Sequence, residues 1–303
     1  MSIAVPLASA ISYLQAIILG ILQGVTELFP ISSLGHTVLF PTLFGWERLV
    51  TAQSEPESFW LAFVVMLHVG SAIGLVIYFW NDYVEIVKGL FRTLSTRRVE
   101  TPPERLAWLI ICASIPAGIL GLIFEHKLRT VTAKPGLAAI FLTLNGLVLF
   151  AAEQYRKRAE VRELAQREGA KADGGRELDT LEFREAAVIG VAQSAALVAG
   201  ISRDGVTMGA SLARGLDHQD SARFAFLLAA PIILAAGIYK LPDLLGPKGA
   251  GIRGQAVVAA IAAAVTAVFT VHFLLRFFKT RTLMPFAVYC LVFGGFMIVY
   301  THT

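Results

Sequence analysis

The chain has 303 residues, 56% of them hydrophobic and only 16% charged, with a mean hydropathy of +0.66. Those values exclude an ordinary water-soluble globule and place the chain among all-α polytopic membrane proteins. The formal charge of +4 gives no ground for a nucleic-acid partner, because the basic residues gather in particular loops.

The N-terminus lacks the basic segment of a cleavable signal peptide. Its first apolar run leads instead into residues 11–46, where the first acidic residue is Glu27 and the first basic residue is Arg48. A carboxylate in a hydrocarbon-like segment costs roughly 2.5–3.5 kcal/mol on insertion scales, which marks it as a candidate functional group. Pro30 removes a backbone donor and disfavours helix at Phe29. The expectation is therefore helix, break, helix: a re-entrant hairpin, since non-helical backbone at membrane depth survives only where protein or a cavity surrounds it.

A polar connector, 46–56, precedes a span over 58–80 that ends in Tyr78-Phe79-Trp80, an interfacial aromatic group. A basic loop over 81–105 follows, then a span over 106–125 with a kink at Pro116. A short loop leads to the third span, 135–152. Residues 153–182 read as a charged helical extension into water that ends in a flexible Gly174-Gly175 link. A second re-entrant hairpin is expected over 183–218, then spans over 220–243, 254–278 and 283–301. His272 and Arg276 fall at an interface, and Cys112 and Cys290 lie in apolar runs suited to core packing.

The second hairpin repeats the first at a constant offset of 170. Gly20 pairs with Gly190, Gln23 with Gln193, Ile31 with Ile201, Ser32 with Ser202, Gly35 with Gly205 and Thr37 with Thr207. Glu57-Ser58, opening the run to Tyr78, likewise resembles Asp220-Ser221, opening the run to Tyr239. Three spans between the hairpins make the repeats inverted, with halves 1–152 and 183–303 joined by the linker 153–182. Broken segments in corresponding positions of two halves point to a site near the midplane. With both termini outside, the inner loops 81–105, 153–184 and 276–282 hold 5, 8 and 3 Lys/Arg, against 1, 3 and 2 in the outer connectors 46–57, 126–134 and 244–253. That orientation satisfies the positive-inside rule and makes the charged linker cytoplasmic.

The two hairpins bring together Gln23, Glu27, Ser32, Ser33 and His36 with Ser202, Arg203, Asp204 and Thr207. Gln23 and Glu27, four apart, share a helix face. Hydroxyls and amides at a helix N-terminus, joined by a planar guanidinium, make an anion site. Three plainer roles stay open: Arg203 as a structural partner of Asp204 or Glu27, His36 as a core histidine, and Ser32 and Ser202 as helix caps.

The run Gln23-Gly24-Val25-Thr26-Glu27-Leu28-Phe29-Pro30-Ile31-Ser32-Ser33-Leu34-Gly35-His36 resembles the first signature of the undecaprenyl pyrophosphate phosphatase family, once called bacitracin resistance proteins. Gly200-Ile201-Ser202-Arg203-Asp204-Gly205-Val206-Thr207 resembles its second, Pro-Gly-x-Ser-Arg-Ser-Gly-x-Thr. The resemblance implies an enzyme of the bacterial plasma membrane that removes the terminal phosphate of undecaprenyl pyrophosphate. The product, undecaprenyl phosphate, carries peptidoglycan precursors. It also implies a divalent cation, Mg2+ or Ca2+. By position, Gln23 and Glu27 match the family's (Glu/Gln)-x-x-x-Glu pair, Ser33 and His36 its catalytic serine and histidine, and Arg203 its essential arginine.

Substrate contacts are expected from Gln23, Thr26, Ser32, Gly35, Ser202, Gly205 and Thr207, and metal contacts from Glu27 and Asp204. Ser33 with His36 as base, His36 itself, or a water activated by Glu27 are all compatible nucleophiles. The expected partners are the polyprenyl pyrophosphate lipid and the bilayer, and a homodimer stays open. Two positions depart from the family pattern: Ala199 stands for Pro, and Asp204 for Ser. Asp204 either adds a metal ligand or holds Arg203 away from the lipid. The competing class is a lipid-phosphate or small-anion transporter, which would bind through the same groups without hydrolysis.

Overall fold

The computed structural model describes residues 11–54, 59–132, 134–166 and 176–302. The Glu57-Ser58 echo and the Gly174-Gly175 link lie outside those residues. Within them the protein is helical, with twelve α-helices. Six are long and apolar enough to cross a membrane. They are α4 (Trp60–Tyr78), α6 (Pro102–Thr132), α7 (Pro135–Gln166), α10 (His218–Leu245), α11 (Arg253–Phe277) and α12 (Met284–His302).

Four shorter helices form two pairs, each broken where the sequence places its polar residues. They are α1 (Tyr13–Thr26) with α2 (Ser33–Leu43), and α8 (Phe183–Gln193) with α9 (Arg203–Ala213). At 1.5 Å per residue, an 11-residue helix covers about 17 Å, roughly half of a 30 Å hydrocarbon layer. Each pair starts with a capping box, Ser12 with Gln15 before α1 and Glu182 with Glu185 before α8, which satisfies amides that the first turn leaves open.

Two further helices occupy stretches expected as connectors. One, α3 (Glu47–Ser54), fills much of 46–56. The other, α5 (Trp80–Thr96), replaces most of the basic loop 81–105. It is amphipathic, burying Ile86, Gly89 and Thr93 on one stripe, and it stops where Arg97 turns left-handed at φ 56°. The second span also runs on to Thr132, through the expected loop over 126–134, because no Gly or Pro lies between Gly121 and Pro135.

Small residues let these helices approach closely, as they do in bilayers. A Cβ on Gly20 of α1 would collide with the Ala259 carbonyl of α11, and one on Gly190 of α8 with the Ala113 carbonyl of α6. These two glycines are the repeat partners read from the sequence. Gly70 of α4 meets Ala260 of α11, and Gly146 of α7 meets Ala287 of α12 in the same way. Thus each short pair leans on a long helix from the other half of the chain.

Ionic and carbonyl contacts fasten the charged end of the molecule. Arg176 grips both oxygens of Glu185 at 2.8 and 3.0 Å, and Arg105 donates to the Leu181 carbonyl. His218 meets Glu153 at 3.0 Å, and Arg223 pairs with Asp82.

Candidate active site

The break between α1 and α2 begins at Glu27 and closes at Ser32, the N-cap of α2. Ser32 adopts φ 68° and ψ 97°, a region that costs a non-glycine residue about 1–3 kcal/mol. Hydrogen bonds to its hydroxyl and its carbonyl hold it there. Its hydroxyl accepts from the Gly35 amide at 3.2 Å and from the Gly200 amide at 3.1 Å, while its carbonyl accepts from His36 Nδ1 at 2.8 Å. In the second pair, Ser202 caps α9 by accepting from the Gly205 amide at 3.0 Å. The two breaks therefore touch, through Ser32 and Gly200.

Asn145, in the middle of α7, ties them further. Its amide donates to the Pro30 carbonyl at 2.9 Å and its oxygen accepts from the Ser202 amide at 3.0 Å. The N-termini of α2 and α9 are thus brought to one place, each offering first-turn amides without intrahelical partners. That concentrates positive potential where an anion can sit.

Into that place the chain puts one carboxylate with four partners. Glu27 Oε1 accepts from Arg203 Nη2 at 2.6 Å. Its Oε2 accepts from Gln23 Nε2 at 3.0 Å and takes a short hydrogen bond from the Ser33 hydroxyl. His68 Nε2, from α4, stands 3.4 Å from Oε2 and 3.4 Å from Ser33 Oγ. Arg203 also faces its neighbour Asp204, Nε to Oδ1 at 3.4 Å. The Glu27 side chain is buried, whereas Arg203 and His68 keep 18% and 23% of theirs exposed. The cluster is therefore reached from the Arg203–His68 side.

Of the residues singled out in the sequence, Gln23, Glu27, Ser33, Arg203 and Asp204 converge. Ser32, Ser202, Gly35 and Gly205 build the two caps; a Cβ on Gly35 would press on the Gly200 backbone at 3.0 Å. Thr26 turns its hydroxyl to the Leu22 carbonyl of its own helix, and the Thr207 hydroxyl is buried with no partner among the described residues.

His36 is not beside Ser33. Its Nδ1 is spent on the Ser32 carbonyl, its Nε2 meets the Tyr289 hydroxyl at 2.8 Å, and its ring stacks between Tyr289 and Phe293. Residues three apart share a helix face, so spacing does not separate the two; the Ser32 carbonyl and the Tyr289 hydroxyl of α12 turn the His36 ring away from Ser33. The histidine at the serine is His68, and the signal for it was the same one that marked Glu27, an ionisable residue within an apolar span. Asn145 carried a weaker version of that signal, a polar amide inside Leu142–Phe150.

Among the described residues no three acidic, histidine or cysteine side chains cluster as a metal cage. Two buried oxygens beside Glu27, however, have no hydrogen-bond partner among the described residues: Gln23 Oε1 and Asp204 Oδ2. Oxygen donors of this kind fit a hard cation such as Mg2+ or Ca2+. Mg2+ in particular takes one or two carboxylates and completes its shell with substrate phosphates.

Six long apolar helices around a buried acid–guanidinium–hydroxyl cluster between two helix breaks define a multi-pass membrane protein with a polar centre. Residues 16–296 match the family model described as Bacitracin resistance protein BacA, and the chain belongs to that bacterial family. It is 50% identical over 299 residues to the undecaprenyl-diphosphatase of Mycolicibacterium paratuberculosis, covering 96% of this chain and 97% of that protein. It is 47% identical over 335 residues to undecaprenyl-diphosphatase 2 of Frankia alni, covering 95% and 98%. The undecaprenyl-diphosphatase of Granulibacter bethesdensis is 39% identical over 293 residues, at 95% and 97% coverage.

Proposed function

We propose that this protein is an undecaprenyl-diphosphatase, converting undecaprenyl pyrophosphate to undecaprenyl phosphate and inorganic phosphate. That activity recycles the lipid carrier of peptidoglycan synthesis and accounts for bacitracin resistance. The observation that carries it is the Ser33–Glu27–Arg203 arrangement: a hydroxyl, its proton acceptor and a guanidinium held at two facing helix N-termini. Phosphoryl transfer asks for an in-line nucleophile and for neutralisation of the charge on the transferring group. The full-length kinship to undecaprenyl-diphosphatases supports the lipid substrate.

In this reading Ser33 Oγ attacks the terminal phosphorus, Glu27 takes its proton, and the P–O bond to undecaprenyl phosphate breaks; water then cleaves the Oγ–P bond to release inorganic phosphate, and the proton returns from Glu27 to Ser33. Arg203 binds the equatorial oxygens in its planar fork, and the amides opening α2 and α9 add to that field. Glu27, Gln23 and Asp204 would hold Mg2+ or Ca2+, which supplies charge neutralisation on the diphosphate when bound. His36 acts as a positioning residue, fixing the strained Ser32 carbonyl and so the aim of Ser33.

The architecture proposed with it is an inverted repeat, 1–152 and 183–303 about the linker 153–182. The pairs α1–α2 and α8–α9 are re-entrant hairpins that enter a plasma membrane from opposite faces and meet near its middle. Their length, about half a hydrocarbon layer, and the odd number of spans between them support this. Both termini lie outside and the linker in the cytoplasm, in accord with the Lys/Arg distribution.

Phosphate release from undecaprenyl pyrophosphate by the purified protein in detergent, with and without Mg2+ or Ca2+, tests the function. Glu27→Ala and Arg203→Ala should each lower kcat/KM at least about 1,000-fold. Asp204→Ser should keep turnover and weaken the metal dependence. Tight lipid binding without phosphate release by the folded wild type would sink the enzyme and leave translocation.

A further inference from the structure

Helix α10 carries Pro231 in its interior. A proline has no N–H, so the carbonyl four residues back, that of Leu227, loses its intrahelical partner, and the ring crowds it. Leu227 is buried, where an unpaired carbonyl is costly. Tyr83, in the first turn of α5, fills the gap: its hydroxyl donates to that carbonyl at 3.0 Å. One turn earlier on α10, Arg223 pairs with Asp82, the residue next to Tyr83. The same device stands in the first helix pair, where Gln53 of α3 donates at 3.4 Å to the Thr37 carbonyl, four residues before Pro41.

Two residues beyond Leu227, the Ala229 carbonyl receives Arg203 Nη1 at 3.5 Å. Arg203 has two other polar contacts among the described residues, Nη2 to Glu27 at 2.6 Å and Nε to Asp204 at 3.4 Å. Both of those partners are carboxylates that can turn toward a cation, whereas the Ala229 carbonyl is part of the helix backbone. Tyr83 is close enough to Arg203 and Asp204 for their charges to act on its hydroxyl. The backbone that Pro231 loosens is thus the backbone that Arg203 rests on.

We infer that Tyr83 is a positioning residue for Arg203. Its hydroxyl takes the place of the N–H that Pro231 lacks, and so holds the Leu227–Ala229 stretch where the guanidinium can meet both Ala229 and Glu27. A planar guanidinium binds phosphoryl oxygens in a fixed fork, so a tilt of the carbonyl behind it costs affinity for the anion. Tyr83 touches neither the substrate nor the reacting atoms; it acts through α10. It lies outside both motifs, on a helix where the charge density of the chain suggests a loop.

This inference rests on Arg203 being the diphosphate-binding group of the phosphatase centre. Binding of inorganic diphosphate to the full-length protein in detergent with Mg2+, followed by calorimetry, reads the guanidinium without any turnover. Tyr83→Phe keeps the ring and removes the donor. It should weaken that binding about fivefold and lower kcat/KM for undecaprenyl pyrophosphate by a similar factor, the worth of one hydrogen bond. In a Pro231→Ala background, position 231 regains its N–H and Leu227 its helical partner. There the same Tyr83→Phe change should shift the affinity less than about twofold. In an Arg203→Lys background the shift should again be less than about twofold, since lysine has no planar fork to aim.

An unchanged diphosphate affinity in Tyr83→Phe overturns the inference, even with a lowered melting temperature, which would leave the tyrosine a structural cap. A full loss that persists with Pro231→Ala overturns it by cutting the link to the carbonyl. One that persists with Arg203→Lys does so by cutting the link to the guanidinium. A wild type that binds diphosphate yet releases no phosphate from the lipid would remove the phosphatase reading, while the affinity ratios would still decide the role of Tyr83.

Discussion

Ser33 and Arg203 occupy the same place in the two hairpins. At the offset of 170 each is the first residue of the helix after the break, and each follows a serine whose hydroxyl accepts from the amide three residues on. The scaffolds match, down to Gly20 and Gly190 pressing on carbonyls of α11 and α6. The chemistry does not. Glu27 corresponds to Leu197 and His36 to Val206. Gln23 serves Glu27, while its counterpart Gln193 donates to the Ala113 carbonyl of α6 at 2.7 Å. Ser32 sits at φ 68° and Ser202 at φ −85°.

The difference has an electrostatic reason. Two equivalent elements that meet would bring identical charges face to face, which is costly where solvent screens poorly. One carboxylate on the first hairpin and one guanidinium on the second instead give a pair that neutralises itself and still leaves cationic reach toward an anion. The matching part of the two helix pairs sets placement, and the differing part holds the residues proposed for reactivity.

The sharpest way to break the equivalence is at the matched glycines. Gly20→Val and Gly190→Val should each destabilise the protein by about 3 kcal/mol or abolish folded yield, because a Cβ has no room against backbone. Thermal unfolding in detergent should show similar losses for both. A wild-type melting temperature for either one would end the claim that the two contacts are equivalent. Next in size, Asn145→Leu removes the bridge between the breaks and strands the Pro30 carbonyl and the Ser202 amide. A loss of about 2 kcal/mol is expected, with phosphate release per folded molecule also reduced as the two N-termini drift apart. An unaltered turnover would show that the breaks hold their register without it.

The smallest effects should separate the two glutamines. Gln23→Leu should lower kcat/KM about tenfold, the worth of one hydrogen bond to a charged group, and leave the melting temperature unchanged. Gln193→Leu should do the opposite, costing about 1 kcal/mol of stability with turnover intact. Equal effects in the two assays would mean that the second glutamine also serves the site.

Much of this was legible in the chain. Glu27 announced itself as the first charge in an apolar region, and Pro30 marked the break. The constant offset paired the two segments, and the structure brings Gln23, Ser33 and Arg203 of those segments to Glu27. His36 was expected beside Ser33 because residues three apart share a helix face; its ring turns to α12 because the Ser32 carbonyl and the Tyr289 hydroxyl hold its two nitrogens. His68 was overlooked because α4 carries no break or motif. The loops over 81–105 and 126–134 were expected from charge density, but α5 buries an apolar stripe and α6 has no Gly or Pro between Gly121 and Pro135.

The sequence by itself determined the membrane class, the six apolar segments, the two breaks and their kinship, since these follow from local hydropathy, helix-breaking residues and a repeat that needs no contact to be seen. Only the tertiary structure decided which groups share a hydrogen. Glu27, Ser33, His68 and Arg203 come from four helices, up to 176 positions apart, and ångström-scale placement of a donor depends on how those helices pack. Chain order does not encode that distance, and packing of small residues against backbone carbonyls sets it.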